Sequence, residues 1–367
     1  MPDHDANSQE PQRLPLLALE RQSFLRALRV LKALRGPQAR RRYPILHFAG
    51  EVRWSAQGFP QLSAGDGAAW MTLPVKGTRY QPEGRVRIPW RVLTRLVLPK
   101  SAFVQLGTGW LTSGSARYTW DPTPLPPVDS LWYSQAEVCG HLTVAELLDV
   151  FRHVLHAVGT QTPQYAGVRF VSHEGARWAM ATDGFRVAAR RVPSYAPSDL
   201  FLPLRLCDAL RRLTESLSPI EFSCVQPANA SFTVQAAGLT EGWRAVARCV
   251  PPEEPPPQFF KATTVVKLSQ PHVAFGQLRG LVRSAPWEVV FEGRTILVGD
   301  GHTTVRFTST PELHGTTLRV QPAHLLEALA PYAGEYKPTL HYEPRTGLLG
   351  IQGPDPETGW QLFSALR

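Results

Sequence analysis

Trp178-Ala-Met-Ala-Thr-Asp-Gly-Phe-Arg-Val-Ala-Ala-Arg-Arg191 sets an Asp-Gly pair between two strand-like runs. Asp-Gly in that setting is a strong short-range signal for a tight turn between strands. The pair recurs at Asp66-Gly67, within LSAGDGAAW, and at Asp300-Gly301, within LVGDGHTTV, with equal spacing on the two sides of Asp183. Equal spacing in matching context marks an internal repeat.

A second marker runs in step with the first. Ile88-Pro-Trp-Arg-Val-Leu-Thr-Arg-Leu96, Leu202-Pro-Leu-Arg-Leu-Cys-Asp-Ala-Leu210 and Gln321-Pro-Ala-His-Leu-Leu-Glu-Ala-Leu329 each set a proline before apolar residues at helical spacing. Proline suits a first helical turn, where its missing N–H would be unpaired anyway. Each third of the chain also opens with a helical pattern: Arg21 to Arg35, Thr143 to Ala157, and Gln270 to Arg283. Alternating runs such as Val168-Arg-Phe-Val171, Ser231-Phe-Thr-Val-Gln235 and Trp287-Glu-Val-Val-Phe291 read as strands. Two proline-rich stretches, 121–128 and 251–257, cannot be helix interiors or central strands and read as linkers. The expectation is an α+β chain of three tandem copies, two helices packed on antiparallel sheet in each, with divisions at 1–128, 129–255 and 256–367.

The chain has 367 residues, 43% hydrophobic and 19% charged, a globular composition. No apolar run approaches the roughly 18 residues of a membrane helix, and the first thirteen residues, MPDHDANSQEPQR, lack a signal peptide's apolar core. The four cysteines, Cys139, Cys207, Cys224 and Cys249, form no CxxC pair. They read as reduced, mostly buried thiols of a cytoplasmic protein with no membrane partner.

The net charge of +9 favours an anionic partner, most commonly nucleic acid. The surplus sits in the first third, where residues 1–128 hold 18 Lys/Arg against 8 Asp/Glu. On a helical wheel, Phe24, Ala27, Leu28, Val30, Leu31 and Leu34 fill one arc, and Arg21, Arg26, Arg29, Lys32 and Arg35 the other. Arg40, Arg41 and Arg42 follow in the next loop. Arg91 and Arg95, then Arg205, Arg211 and Arg212, and then Arg279 and Arg283 lie on the later helices. Cations so arrayed suit phosphate contact without base readout.

Catalytic signatures are missing. His153 and His156 share a helix face but have no third metal ligand. Gly107-Thr-Gly109 lacks the strand-then-helix setting of a dinucleotide loop. There is no Walker loop, GxSxG or HExxH. Asp183 and Asp300 read as turn residues. The expectation is a protein that is not an enzyme and needs no metal or cofactor.

The Trp178–Arg191 stretch resembles the ATDGHRLA signature of the bacterial DNA polymerase III beta subunit family, the sliding clamps. Tyr43-Pro-Ile-Leu46 is similar to that family's LPIL, and Ser113-Gly-Ser-Ala-Arg-Tyr-Thr-Trp120 to its SGRSRFSL strand. The resemblance implies the DNA-clamp fold: a ring of two head-to-tail protomers around double-stranded DNA, serving as a processivity factor in replication. It implies that DNA polymerase, clamp-loader or repair proteins dock a short peptide between the second and third domains. Matched residue by residue, that cleft would be walled by Tyr165, Thr182, Gly184, Phe185, Arg186 and Val187. Pro255 and Phe260 would form its floor, and Leu362, Phe363, Ser364 and Ala365 its far side. Phe185 replaces the usual histidine, so the pocket is expected to be more apolar and insensitive to pH near neutrality. The family's terminal Met-Pro-x-Arg pattern is absent from Phe-Ser-Ala-Leu-Arg. The same resemblance puts Tyr118 and Trp120, expected as exposed aromatics on an edge strand, against Leu281 and Val282 of the other protomer. The competing reading is a clamp-like DNA-binding protein of repair or regulation that does not close the usual ring.

Overall fold

A computed structural model describes residues 15–34, 49–55, 58–65, 68–81, 85–122, 136–160, 165–173, 175–213, 219–225, 232–238, 242–249, 264–267, 278, 281, 286–332, 339–343, 348–353 and 359–364. They fall in two compact units. One comprises Met1–Tyr133, Asp208–Leu213 and Gln235–Ala247, and the other the rest of the chain.

In the first unit, β1 (Leu17–Glu20) runs directly into α1 (Arg21–Leu34). β2 (Ala49–Trp54), β3 (Pro60–Gly65), β4 (Ala69–Pro74), β5 (Gly77–Arg79) and β6 (Arg85–Pro89) follow. Then come α2 (Trp90–Arg95), β7 (Phe103–Gly107), β8 (Trp110–Ser113) and β9 (Ala116–Thr119). One antiparallel sheet has the order β5-β1-β7-β8-β9, which leaves β9 at an edge. Another runs β4-β3-β2-β6. α1 packs on β3 and β4 and also touches β1 and β7. Its buried residues are Phe24, Ala27, Leu28, Val30, Leu31 and Leu34, the six of the apolar arc. Burying a large apolar side chain gives about 1.5–3 kcal/mol, so this face, more than helix propensity, holds α1 in place.

In the second unit, β10 (Glu137–Leu142) precedes α3 (Val144–Val154) and a 3-10 turn at Leu155–Ala157. Thr143 and Glu146 close a reciprocal capping box at the start of α3. The Thr143 hydroxyl accepts from the Glu146 N–H at 3.2 Å, and the Glu146 carboxylate accepts from the Thr143 N–H at 2.8 Å. β11 (Gly167–His173), β12 (Ala176–Thr182), β13 (Arg186–Val192) and β14 (Leu200–Pro203) come next. They are followed by α4 (Leu204–Leu210), β15 (Ile220–Val225), β16 (Phe232–Gly238), β17 (Arg244–Cys249) and β18 (Thr264–Lys267). Asp208–Leu210 of α4, Gln235–Gly238 of β16 and Arg244–Ala247 of β17 belong to the first unit, where β17 pairs with β4. β19 (Trp287–Gly299) and β20 (Thr304–Val320) form a long hairpin ahead of α5 (Pro322–Leu329), β21 (Thr339–Glu343), β22 (Leu348–Gln352) and β23 (Gly359–Ser364).

The unit's main sheet has the order β14-β11-β12-β13-β23-β22-β21-β18, antiparallel throughout. α3 covers β12 and β13. A separate core surrounds the hairpin and α5, with Trp287, Phe291, Val320, Leu326 and Leu329 among its members.

α2, α4 and α5 begin at or just after Pro89, Pro203 and Pro322, as the repeat predicts. The linker stretches from 123 and from 251 lie outside the described residues, as do Tyr43–Leu46 and Asp66-Gly67. Of the predicted Gln270–Arg283 helix only Leu278 and Leu281 are described, both buried in the hairpin core.

One expectation needs correction. Trp120 is not an exposed edge aromatic: it lies just past β9, 8% exposed, and its indole N–H donates to the Arg87 carbonyl at 3.0 Å. Leu281 is buried in the hairpin core of its own protomer. Among the described thiols, Cys207 is buried and Cys139 and Cys224 are half-buried.

Candidate functional site

The cationic face of α1 stands opposite its apolar arc. Arg26, Arg29 and Lys32 are exposed, and the first turn carries no acid. Partial burial holds the Lys32 amine below its ordinary value. Arg21 departs from the prediction: its guanidinium turns inward and donates to the Leu98 carbonyl at 2.8 Å. Arg91 and Arg95 are exposed on α2. Arg211 and Arg212 are exposed just after α4, and Arg211 lies 3.5 Å from Asp208. Burial raises the Asp208 carboxyl, against the pull of those two arginines. Arg205 is half-buried on α4. Arg40, Arg41, Arg42, Arg279 and Val282 lie outside the described residues.

The Thr182–Arg186 turn shows what Asp-Gly does. The Asp183 carboxylate accepts from the N–H groups of Phe185 and Arg186, each at 3.0 Å. Gly184 sits at φ 91°, a region costly for any residue with a Cβ. The Thr182 hydroxyl accepts from the Gly184 N–H at 3.1 Å and donates to the Arg186 carbonyl at 2.8 Å. Asp300 repeats the construction. It accepts from His302 N–H at 2.9 Å and Thr303 N–H at 2.7 Å, with Gly301 at φ 88°. Both aspartates are turn-formers, and the repeat extends to atomic detail.

Around the first of these turns the predicted partner-docking residues gather. Tyr165 stands beside it: its ring lies 3.5 Å from where a Cβ on Gly184 would be, and Gly159 N–H donates to the carbonyls of both Tyr165 and Thr182. β23 pairs with β13, with Arg186 opposite Phe363 and Val187 opposite Leu362. The C-terminal strand is therefore brought to the Asp-Gly turn by a backbone ladder. Ser364 ends β23, while Ala365, Pro255 and Phe260 lie outside the described residues. Val187 packs against Val171, Met180 and Ala189 on the sheet.

Arg186 is bonded to three groups of its own chain. Its guanidinium donates to Asp183 at 2.9 Å, to the Glu327 carboxylate on α5 and to the His156 carbonyl. With 13% of its side chain exposed, it is a strut between the turn, the end of α3 and the third-segment helix. Sequence reasoning missed Glu327 and His324, because nothing local ties α5 to a turn so distant in the chain.

Phe185 is 74% exposed at the tip of the turn. His324 of α5 lies near Arg186, and burial, then the arginine's charge, hold its pKa low against the pull of Asp183 and Glu327.

The His153–His156 pair does not converge on a shared ligand. His153 Nδ1 lies 2.8 Å from the Asp149 carbonyl, which can only accept, so that nitrogen carries the proton. Its ring packs edge-on against Tyr332. No group of three metal-ligating side chains occurs among the described residues. No described helix is long and apolar enough to cross a membrane.

No family model matches the sequence, and no curated protein does. The fold, by contrast, is matched along almost its whole length. The DNA polymerase sliding clamp from Bacillus subtilis superposes with a TM-score of 0.75 at 15% identity, covering 96% of this chain and 98% of that one. The DNA polymerase III beta subunit from Thermotoga maritima gives 0.74 at 14% identity, covering 96% and 99%. A sliding clamp (DNA polymerase III subunit beta) from Pseudomonas aeruginosa bound to griselimycin gives 0.73 at 14% identity, covering 96% and 100%. The chain has the fold of the bacterial DNA sliding clamps.

Proposed function

We propose that this chain is a DNA sliding clamp, a non-enzymatic processivity factor that encircles duplex DNA and tethers DNA polymerase and other partners. The observation that carries the reading is the clamp fold over nearly the entire chain, together with an α1 whose outward face is cationic and free of acids. The three repeats are its three domains, and two protomers joined head to tail make the ring. Arg26, Arg29, Lys32, Arg91, Arg95, Arg211 and Arg212 contact phosphates, with Arg40–Arg42, Arg205 and Arg279 as further candidates. Partners dock a short peptide beside the Thr182–Val187 turn and β23, where the exposed Phe185 side chain offers an apolar contact.

Retention on DNA tests this. Loaded on nicked circular duplex by a clamp loader, the protein stays bound through a high-salt wash and is released when the circle is cut. Loss in salt from circular and linear DNA alike would replace the ring by a clamp-like protein that binds only through charge.

A further inference from the structure

The Asp-Gly turns at Asp183 and Asp300 share a backbone design and differ in what guards them. In each, the carboxylate accepts from the N–H groups two and three residues on, and the glycine sits at positive φ, 91° and 88°. At the first turn the preceding residue is Thr182, whose hydroxyl accepts from the Gly184 N–H at 3.1 Å. Three residues after the aspartate stands Arg186, whose Nε–H donates to the carboxylate at 2.9 Å. At the second turn Gly299 takes the place of the threonine and Thr303 that of the arginine. Gly299 has no hydroxyl to hold a neighbouring amide, and the Gly301 N–H has no acceptor among the described residues. A Cβ on Gly301 would meet nothing within 4 Å, whereas one on Gly184 would lie 3.5 Å from the Tyr165 ring. Gly301, His302 and Thr303 are exposed at the tip of the β19–β20 hairpin, and Asp300 is half-buried there.

We propose that Asp300-Gly301 is a site of spontaneous isomerisation to isoaspartate, and that Thr182 and Arg186 protect Asp183-Gly184 from the same reaction. The Gly301 nitrogen attacks the carboxyl carbon of the Asp300 side chain. A C–N bond forms, the nitrogen gives up its proton, one carboxyl oxygen leaves as water, and a five-membered succinimide closes. Water then adds to either ring carbonyl and breaks one C–N bond. Opening at the main-chain carbonyl leaves the chain running through the Asp300 side chain, and opening at the other restores aspartate. One water is lost and one regained, and nothing is oxidised or reduced. The step is intramolecular, so its rate follows how freely amide and carboxyl can meet. Glycine permits the approach, since it carries no Cβ beside the attacking nitrogen. At Asp183 the amide must first leave Thr182, and the carboxylate must leave a charged donor. Together these ties slow ring closure there by about tenfold or more. The Gly301 amide carries no such tie, and Thr303 brings no guanidinium. Isomerisation inserts a methylene carbon into the main chain at the hairpin tip, where the Asp300 N–H donates to the Thr303 carbonyl at 3.2 Å. The proposal is independent of the clamp reading.

The test ages the full-length folded protein near neutral pH at physiological temperature and samples it over weeks. Isoaspartate is counted with an isoaspartate methyltransferase and labelled S-adenosylmethionine. Peptide mapping locates it as a resolved isomer of unchanged mass. Isoaspartate is expected at Asp300 about tenfold or more faster than at Asp183 in the folded protein, and at similar rates at the two sites in urea. Thr182→Ala should raise the rate at Asp183. Asp300→Ser, whose hydroxyl can still accept the turn's N–H bonds, should remove the Asp300 product and leave Asp183 unchanged. Equal rates at the two sites in the folded protein, or a faster one at Asp183, would overturn the proposal. So would an Asp300 that isomerises in urea but stays intact in the folded chain, or an Asp183 rate that Thr182→Ala does not move.

Discussion

Arg186 has the chemistry of a ligand-binding residue in the sequence and that of a strut in the structure. Its neighbours Asp183, Glu327 and His156 take up its donors, so removing it strands a carboxylate and a carbonyl in a semi-buried space. Charge-assisted hydrogen bonds of this kind contribute about 1.5–3 kcal/mol each when lost one-sidedly. Arg186→Ala is expected to lower unfolding free energy by about 2–3 kcal/mol. Glu327→Gln, at a side chain 46% exposed, should cost less than about 1 kcal/mol. Urea titration of both variants checks the ranking, and equal losses would mean that the strut runs through α5 alone. Three of the described histidines contribute to the pH response. Burial lowers His153, His324 and His341 from the ordinary 6.5. The unfolded chain then binds protons below pH 6.5 that the folded chain still refuses, so stability is full above that pH and declines as pH falls through the lowered values. The urea midpoint should be lower at pH 5.5 than at pH 7.5, and His324→Gln should shrink that difference. An unchanged difference would remove His324 from the account.

At the scale of elements, α1 was the most legible part of the sequence. A period of 3.6 sorted its apolar residues, and all six of the expected arc are buried. Among the described residues the wheel failed only at Arg21, whose partner Leu98 lies in a loop that no local pattern can place. The Thr143-x-x-Glu146 capping signature was available in the sequence and marks the start of α3. The Asp-Gly turns were equally readable, since turn chemistry is local. The β13–β23 pairing was not readable from periodicity, because a ladder between distant strands leaves no nearby trace; only the family resemblance pointed to it. The outward face of α1 allows a clean perturbation. Replacing Arg26, Arg29 and Lys32 together by Ala keeps helix propensity high and the core untouched. If each cation meets a phosphate, the slope of log affinity against log salt should flatten by about 0.9 per lost contact. Affinity for duplex DNA measured across a salt series checks this. An unchanged slope, with circular dichroism showing intact α1, would move the DNA contacts elsewhere.

At the scale of the whole molecule, the question is how an edge strand that ends beside a buried tryptophan could join two protomers. Among the described strands β9 ends its sheet, and an open edge invites pairing with another chain. The proposed ring needs such a contact to be heterologous and to close. Trp120 cannot report on it. Its indole is tied to Arg87 in the same protomer, so Trp120→Ala would leave a cavity and lower monomer stability whatever the assembly. Tyr118 has the same weakness, since its hydroxyl bonds to both the N–H and the carbonyl of Val97 at 2.9 Å. Thr119 is exposed on β9 and serves better. Thr119→Asp puts a charge on the edge, where pairing must bring backbones together. Such a charge is expensive to desolvate at an interface and inexpensive on an exposed surface. If β9 is the joining edge, sedimentation at micromolar concentration should show a dimer for the native chain and at least a tenfold weaker association for the variant. Its melting temperature at low concentration should match that of the native protomer. A dimer that survives the aspartate would place the contact on another face, and a native chain that is monomeric at that concentration would leave the fold without its ring.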